Sequence, residues 1–290
     1  MPSRRPAPLP SHKPARALVP PVDPQRFEPT RERPVRAKAR QLRSDTEITP
    51  HSHAWAQVVV CASGVARITA AHSTYLVPAW RAVWIPPRVE HLVSVVEAAD
   101  LRTLYVHQGA GRVGPGLPGE AGSAWRCCRV LEVSALLREL VLQMDVAMDG
   151  RTPMSPAALE RERRLGELAL DELCRAAPLR LGIELPRDKR LRALCEAILR
   201  EPSRHATLQG WSRETAASPR TLARLFRQQL DTSFGPWRQQ VLLAHALRLA
   251  AQRKPMALIA AELGYASPSA FSAMVRRAVG QPPSRFFATA

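Results

Sequence analysis

Long apolar runs are missing from this chain: no stretch of about twenty consecutive hydrophobic residues occurs, so no membrane-spanning helix is expected and the protein reads as soluble. Its five cysteines (Cys61, Cys127, Cys128, Cys174, Cys195) show no Cys-x-x-Cys spacing, which speaks against a disulfide framework in a chain of 290 residues. No apolar core run follows the basic start, which excludes a secretory signal, and the expected location is the cytoplasm. Residues 1–44 lack aromatic residues almost entirely. They hold ten Pro and eleven Lys or Arg, too little apolar surface to offset chain entropy, and read as a disordered basic tail.

Positive charge is abundant and unevenly placed. The chain carries +17, divided as +8 for residues 1–44 (11 basic, 3 acidic), −2 for 45–185 (14 basic, 16 acidic) and +11 for 186–290 (17 basic, 6 acidic). A basic C-terminal block raises affinity for phosphate and makes binding steeply salt-dependent. Length and the 46% apolar content allow two cores.

Within its last eighty or so residues the chain writes a helix-turn-helix pattern twice. The first copy centres on Ser218-Pro219-Arg220-Thr221-Leu222 and the second on Ser267-Pro268-Ser269-Ala270-Phe271. In each, Ser is a good N-cap and Pro falls at the first helical position, where its missing N–H loses nothing. In the first copy Leu222, Leu225 and Phe226 form an apolar stripe, leaving Arg220, Arg224 and Arg227 on the other face with Thr221 to meet DNA. A preceding helix over 208–215 carries Leu208 and Trp211, with Ala216-Ala217 as the turn; Ala216 in a left-handed conformation would cost about 1 kcal/mol. In the second copy a helix opened by Pro255 ends at Gly264, and Ser267, Ser269, Ser272 and Arg276 face DNA. Arginine makes a bidentate guanine contact that serine cannot, so the first copy is expected to carry more of the base reading. Between the copies Ser233 caps an amphipathic helix over 236–253. It spans about 27 Å, close to one duplex turn of about 34 Å, so both helices can reach successive major grooves.

The runs SPRTLARLFRQQL, SFGPWRQQ, LIAAELGYASPSAF and GQPPSRFF resemble the C-terminal domain of AraC/XylS-type transcriptional regulators. The resemblance implies a seven-helix domain with two helix-turn-helix units. Two departures concern the turns, since that family usually has Gly where this chain has Ala216 and Asp231. Two more concern charge: Leu242 and His245 stand where basic residues are usual, which points to weakened DNA affinity or altered phosphate contacts.

The middle of the chain alternates short Val-, Ile- and aromatic-rich segments (57–62, 65–70, 74–77, 82–85, 92–96, 101–107) with Gly, Pro or polar breaks, the pattern of a sandwich or barrel. Within it, His51-Ser52-His53, Gln57, Gly64, Pro78, Trp84-Ile85-Pro86-Pro87 and His91 resemble a cupin barrel of the kind fused to AraC-type DNA-binding domains. His51 and His53, two apart on a strand, point to one face, and His91 resembles the third metal-binding His of metal-bearing cupins. Three imidazoles suit a divalent metal; the usual fourth ligand, Glu, is here Gln57. The same positions, with Trp84, equally line a metal-free pocket for a small-molecule effector. That second reading is taken, with no cofactor expected.

Amphipathic helices are expected over 134–148 and 155–177, packing on the barrel and, by the family resemblance, carrying dimerisation. The fold expected is an α+β multidomain chain: a disordered tail (1–44), a cupin-like jelly-roll barrel (45–125), a helical accessory region (126–178), a linker (179–187) and an all-α double helix-turn-helix domain (188–290). The function expected is a non-enzymatic, sequence-specific regulator of transcription. Its partners would be operator or promoter DNA, a small-molecule effector, a second copy of itself and RNA polymerase, and no membrane. Two rivals use the same residues differently: a metal-dependent cupin dioxygenase or isomerase tethered to DNA, and an architectural DNA binder without an effector.

Overall fold

Two long strands organise the N-terminal half. In the computed structural model, which describes residues 17–70, 73–109, 114–116, 123–144, 146, 154–179, 182–280 and 282–287, β4 (Ala56–Ala70) and β7 (His91–Val106) pair antiparallel along most of their length. Each joins two of the segments expected as separate strands. Gly64, read as a break, is a bulge: the β4–β7 register shifts between Cys61 and Ala66. The glycine sits at φ 75°, and a Cβ there would lie 2.0 Å from the Ala98 carbonyl oxygen. Only glycine meets both demands.

The irregularity divides each long strand between two sets of neighbours. The first half of β4 pairs with β6 (Arg81–Ile85) and the second with β5 (Ser73–Pro78). The start of β7 pairs with β3 (Thr46–His51) and its end with β2 (Val35–Leu42). β1 (Ala17–Val19) adds to β3, and β8 (Arg129–Glu132) to β6. Among the described residues the ladder does not close on itself, so the sheet-rich domain is an open, bent cup rather than a sealed barrel.

Two expectations are corrected here. Residues 17–42 are not a disordered tail, since β1 and β2 lie within them; residues 1–16 fall outside the described residues. β2 alternates small apolar with basic side chains, and the basic ones have partners. Arg36, 2% exposed, lies 3.2 Å from Glu162, and Lys38 Nζ donates to the Tyr105 hydroxyl at 2.6 Å. Nor is 179–187 a free linker. β9 (Pro178–Leu179) pairs with β8, and β10 (Gly182–Glu184) with β5, because Ile183 is fully buried. The Gly/Pro-rich loop expected over 109–122 falls mostly outside the described residues.

Helices α1 (Ala135–Gln143) and α2 (Pro156–Arg175) start where their serines indicated, with Ser134 accepting from Leu137 N–H and Ser155 from Ala158 N–H. Leu137, Leu140, Val141, Ala169 and Leu173 pack over Val58, Val60 and Trp84 of the sheet. The C-terminal half supplies seven helices among the described residues: α3 (Lys189–Arg200), α4 (Leu208–Ser212), α5 (Pro219–Leu230), α6 (Phe234–Ala251), α7 (Met256–Glu262), α8 (Pro268–Val279) and α9 (Pro283–Phe286).

Helix α6 departs from expectation. It is not amphipathic but buried on nearly every side, with Trp237, Val241, Leu242, Leu243, Ala244, Ala246, Leu247 and Leu249 all at 2% exposure or less. One continuous apolar cluster joins Leu243, Leu247, Ile259 and Phe271 to Val77, Val83 and Val93 of the sheet. Polar bonds fasten the same junction: Arg248 donates to Glu97 at 2.8 Å, Gln252 also donates to Glu97, and Arg81 donates to the Phe286 carbonyl at 3.3 Å.

The turns yield a further difference. Ala216 is absent from the left-handed region, and the short α4 lets a longer turn absorb the reversal without strain there. Asp231 does adopt it, at φ 46° and ψ 32°, as the C-cap of α5. Asp231→Gly should therefore stabilise the protein by up to about 1 kcal/mol in denaturant unfolding. Glu162→Ala, which strips the carboxylate from buried Arg36, should destabilise it by about 3–5 kcal/mol in the same assay.

Candidate functional site

Two separated surfaces carry the chemistry. On the first, Ser218 Oγ accepts from Thr221 N–H at 3.2 Å and Ser267 Oγ from Ala270 N–H at 3.2 Å, so α5 and α8 begin at the capped positions. Leu222, Leu225 and Phe226 are buried under α5, as Phe271, Met274 and Val275 are under α8. Their burial turns Arg220, Arg224 and Arg227 outward on α5, and Ser267, Ser269 and Arg276 on α8, all exposed; Thr221 and Ser272 are half-buried at the edges. Arg224 is steadied by Gln228 at 2.9 Å. Gly264, at φ 79°, supplies the turn before α8.

Leu242 and His245, expected to cost phosphate contacts, point inward instead. Leu242 is 1% exposed, and His245 Nε2 hydrogen-bonds to the Leu199 carbonyl at 2.9 Å. Their identities serve packing of α6 against its surroundings.

The second surface lies inside the cup. His51 closes β3, His53 lies just beyond its end rather than on the strand, and His91 opens β7 in register with His51. Ring centroids are 4.3 Å apart for His51 and His91, 5.3 Å for His53 and His91, and 6.1 Å for His51 and His53. Each Nδ1 faces a backbone carbonyl: Thr49 at 2.9 Å, Trp55 at 3.0 Å and Val89 at 3.0 Å respectively. The candidate ligand atoms of the three residues all lie within 4.8 Å of one another. His53 Nε2 also meets Gln57 Oε1 at 2.6 Å, while buried His91 Nε2 has no hydrogen-bond partner among the described residues. Burial depresses all three imidazoles, His91 to about 3, so they are neutral at pH 7. The donor set therefore fits a divalent ion held by neutral imidazole nitrogens.

Beside this cluster a narrow recess is lined by Lys38, Arg40, Ile48, His51, Gln57 and Thr103 among others, with no carboxylate on its wall. Burial pushes Lys38 down to about 8, with the Arg40 charge adding to the effect. Trp84 does not belong here. Strand alternation turns it to the opposite face, where it is fully buried beneath α1 and α2 and donates to the Trp125 carbonyl at 2.9 Å. Sequence reasoning missed Lys38, Arg40 and Thr103. The alternation in Val35-Arg36-Ala37-Lys38-Ala39-Arg40 is the sequence signal of a strand that turns Lys38 and Arg40 to one face.

A family profile described as a helix-turn-helix domain matches residues 211–289, and one described as an AraC-like ligand binding domain matches residues 35–177. The HTH-type transcriptional regulator NimR of Escherichia coli is 31% identical over 238 residues, which cover 82% of this chain and 81% of that protein. The arabinose operon regulatory protein of Salmonella typhimurium is 30% identical over 116 residues, 39% of this chain and 41% of that protein. Among solved structures, ToxT from Vibrio cholerae with unsaturated fatty acid bound covers 88% of this chain and 95% of its own. Its identity of 12% and TM-score of 0.35 are too low to carry an inference. No helix among the described residues is long and apolar enough to cross a membrane.

The buried His245 makes stability pH-dependent. Burial pushes it down to about 4; the bond to Leu199 offsets part of this, and the charges of Arg248 and Arg67 add to it. Its neutral form contributes fully above the unfolded value near 6.5, and the contribution is lost as pH falls from there towards 4. Unfolding measured across that window should show wild type losing about 3 kcal/mol more than His245→Gln.

Proposed function

The chain belongs to the AraC family of transcriptional regulators, proteins that bind DNA through a helix-turn-helix domain and carry a ligand-binding domain, and we propose how its residues divide that work. Helix α5 reads bases through Arg220 and Arg224, with Thr221 and Arg227 at its flanks. Helix α8 grips phosphate through Arg276, and its serines (Ser267, Ser269, Ser272) fit the groove without strong discrimination. The observation that carries this reading is the pair of serine-capped helices with exposed basic faces, joined by an 18-residue helix of about 27 Å.

The effector enters the recess bounded by Lys38, Arg40, His51, Gln57 and Thr103, with His53 and His91 at its side. A cationic wall without a carboxylate favours an effector bearing a negative or strongly hydrogen-bond-accepting group. Its influence on DNA binding equals its differential affinity for two arrangements of the molecule, transmitted through the Glu97 contacts to Arg248 and Gln252. Leu136 and Leu168, 51% and 50% exposed on α1 and α2, support pairing of two copies there, and RNA polymerase is the further partner of a regulator that activates. The relatives named as regulators support a non-enzymatic role.

Selection of genomic fragments by the purified protein at physiological salt should return a recurring site with two sequence blocks about one helical turn apart. Featureless, salt-sensitive binding would refute sequence-specific reading. Arg220→Ala should cost about 1–3 kcal/mol at that site and relax one base position; equal weakening on all sequences would remove base reading from α5.

A further inference from the structure

Arginine supplies almost all of the positive charge of this chain: of its 42 basic residues only Lys13, Lys38, Lys189 and Lys254 are lysine. Lys38 stands between Arg36 and Arg40 in the alternation of β2, and of the described lysines it is the one that lines the recess of the cup. Lys189 is exposed, and Lys254 donates to Glu262 at 2.6 Å. Lys38 has no carboxylate partner among the described residues; half-buried, it donates from Nζ to the Tyr105 hydroxyl at 2.6 Å. Burial, with the Arg40 charge, brings its amine down to about 8. Each unit of that descent raises the neutral fraction at pH 7 about tenfold. An arginine here would give the wall the same charge and more hydrogen bonds. What lysine adds is an amine that can shed its proton and act as a nucleophile.

We propose that Lys38 captures a small oxo acid covalently, its amine forming an imine with the ligand's carbonyl while Arg40, two residues along the same face, holds the carboxylate. The nitrogen lone pair forms the C–N bond as the carbonyl π pair moves to oxygen. One N–H proton passes to that oxygen, and the second leaves with the hydroxyl as water when the C=N bond closes. No oxidant or reductant takes part, so water reverses the capture. The Tyr105 hydroxyl positions Nζ, and the Arg40 guanidinium, which spends one donor on the Pro20 carbonyl at 3.1 Å, keeps others for a carboxylate. The narrow recess limits the ligand to a few carbon atoms. The proposal rests on the cup being the effector's compartment and names the chemical class that it takes.

Full-length protein is incubated near pH 7 with glyoxylate and cyanoborohydride, which reduces an imine to a stable amine, and modified lysines are followed by peptide mass mapping. Lys38 should be carboxymethylated at least about tenfold faster than Lys189 or Lys254; a rate no greater than theirs overturns the capture. Arg40→Gln, checked for folding by circular dichroism, should lower the rate with glyoxylate relative to that with acetaldehyde, which has no carboxylate. An unchanged ratio overturns the place of Arg40. Glycolate keeps the carboxylate but has no carbonyl, so a rise in melting temperature on adding it reports anion binding independently of the imine. Stabilisation by glycolate with unselective capture removes the imine alone, whereas unselective capture without stabilisation removes the anionic effector reading as well.

Discussion

Helix α6 is the constraint on which the rest depends. A helix linking two DNA-reading units in a free domain would keep one face in water. Here Leu242, Leu243, Leu247 and Leu249 are covered, and the cluster they enter continues into the strands. Fully burying a side chain of this size is worth about 1.5–3 kcal/mol relative to exposure. Several such residues together hold the two halves in one arrangement far more firmly than the Glu97 ion pair, which is only partly shielded from solvent and contributes direction rather than strength. The separation of α5 from α8 is thereby fixed by the same helix that touches the ligand-binding half.

Charge then sorts the surfaces. Exposed arginines on α2 and α3 are paired with neighbouring carboxylates, Arg163 and Arg164 with Glu160, Arg175 with Asp171 and Arg192 with Glu196, and the buried cations are spent internally, Arg36 on Glu162 and Arg81 on the Phe286 carbonyl. A basic chain attracts polyanions at many points; the exposed arginines that α5 and α8 present from capped, packed helices give part of that attraction a fixed geometry. The cup is built on the opposite principle, with neutral imidazoles and a few cations in a shielded recess.

Much of this was legible in the residues. Ser-Pro pairs located the starts of α2, α5 and α8 because capping is a local interaction that needs no tertiary context. The helix-turn-helix faces followed from the three- and four-residue spacing of Leu222, Leu225 and Phe226. Failures came where a partner distant in sequence decides the outcome. Arg36 and Lys38 read as a solvated tail because Glu162 and Tyr105, which receive them, lie far along the chain. Ile183 read as linker because its strand partner, β5, is about a hundred residues earlier. Trp84 was assigned to the pocket by its neighbours in sequence, although counting strand parity from Gln57 and its partner Ile85 would have turned it to the other face.

The bulge at Gly64 reaches beyond the sheet it bends. The β7 segment facing it, between Glu97 and Asp100, bows out of register, and Glu97 is the residue that receives Arg248 and Gln252. A side chain at position 64 would press on Ala98 and Ala99 and shift that segment bodily. The displacement would be felt by the helix that sets the distance between the two DNA-reading units. A single hydrogen atom in place of a side chain thus keeps the ruler of the molecule true, at a point remote from both the DNA and the ligand.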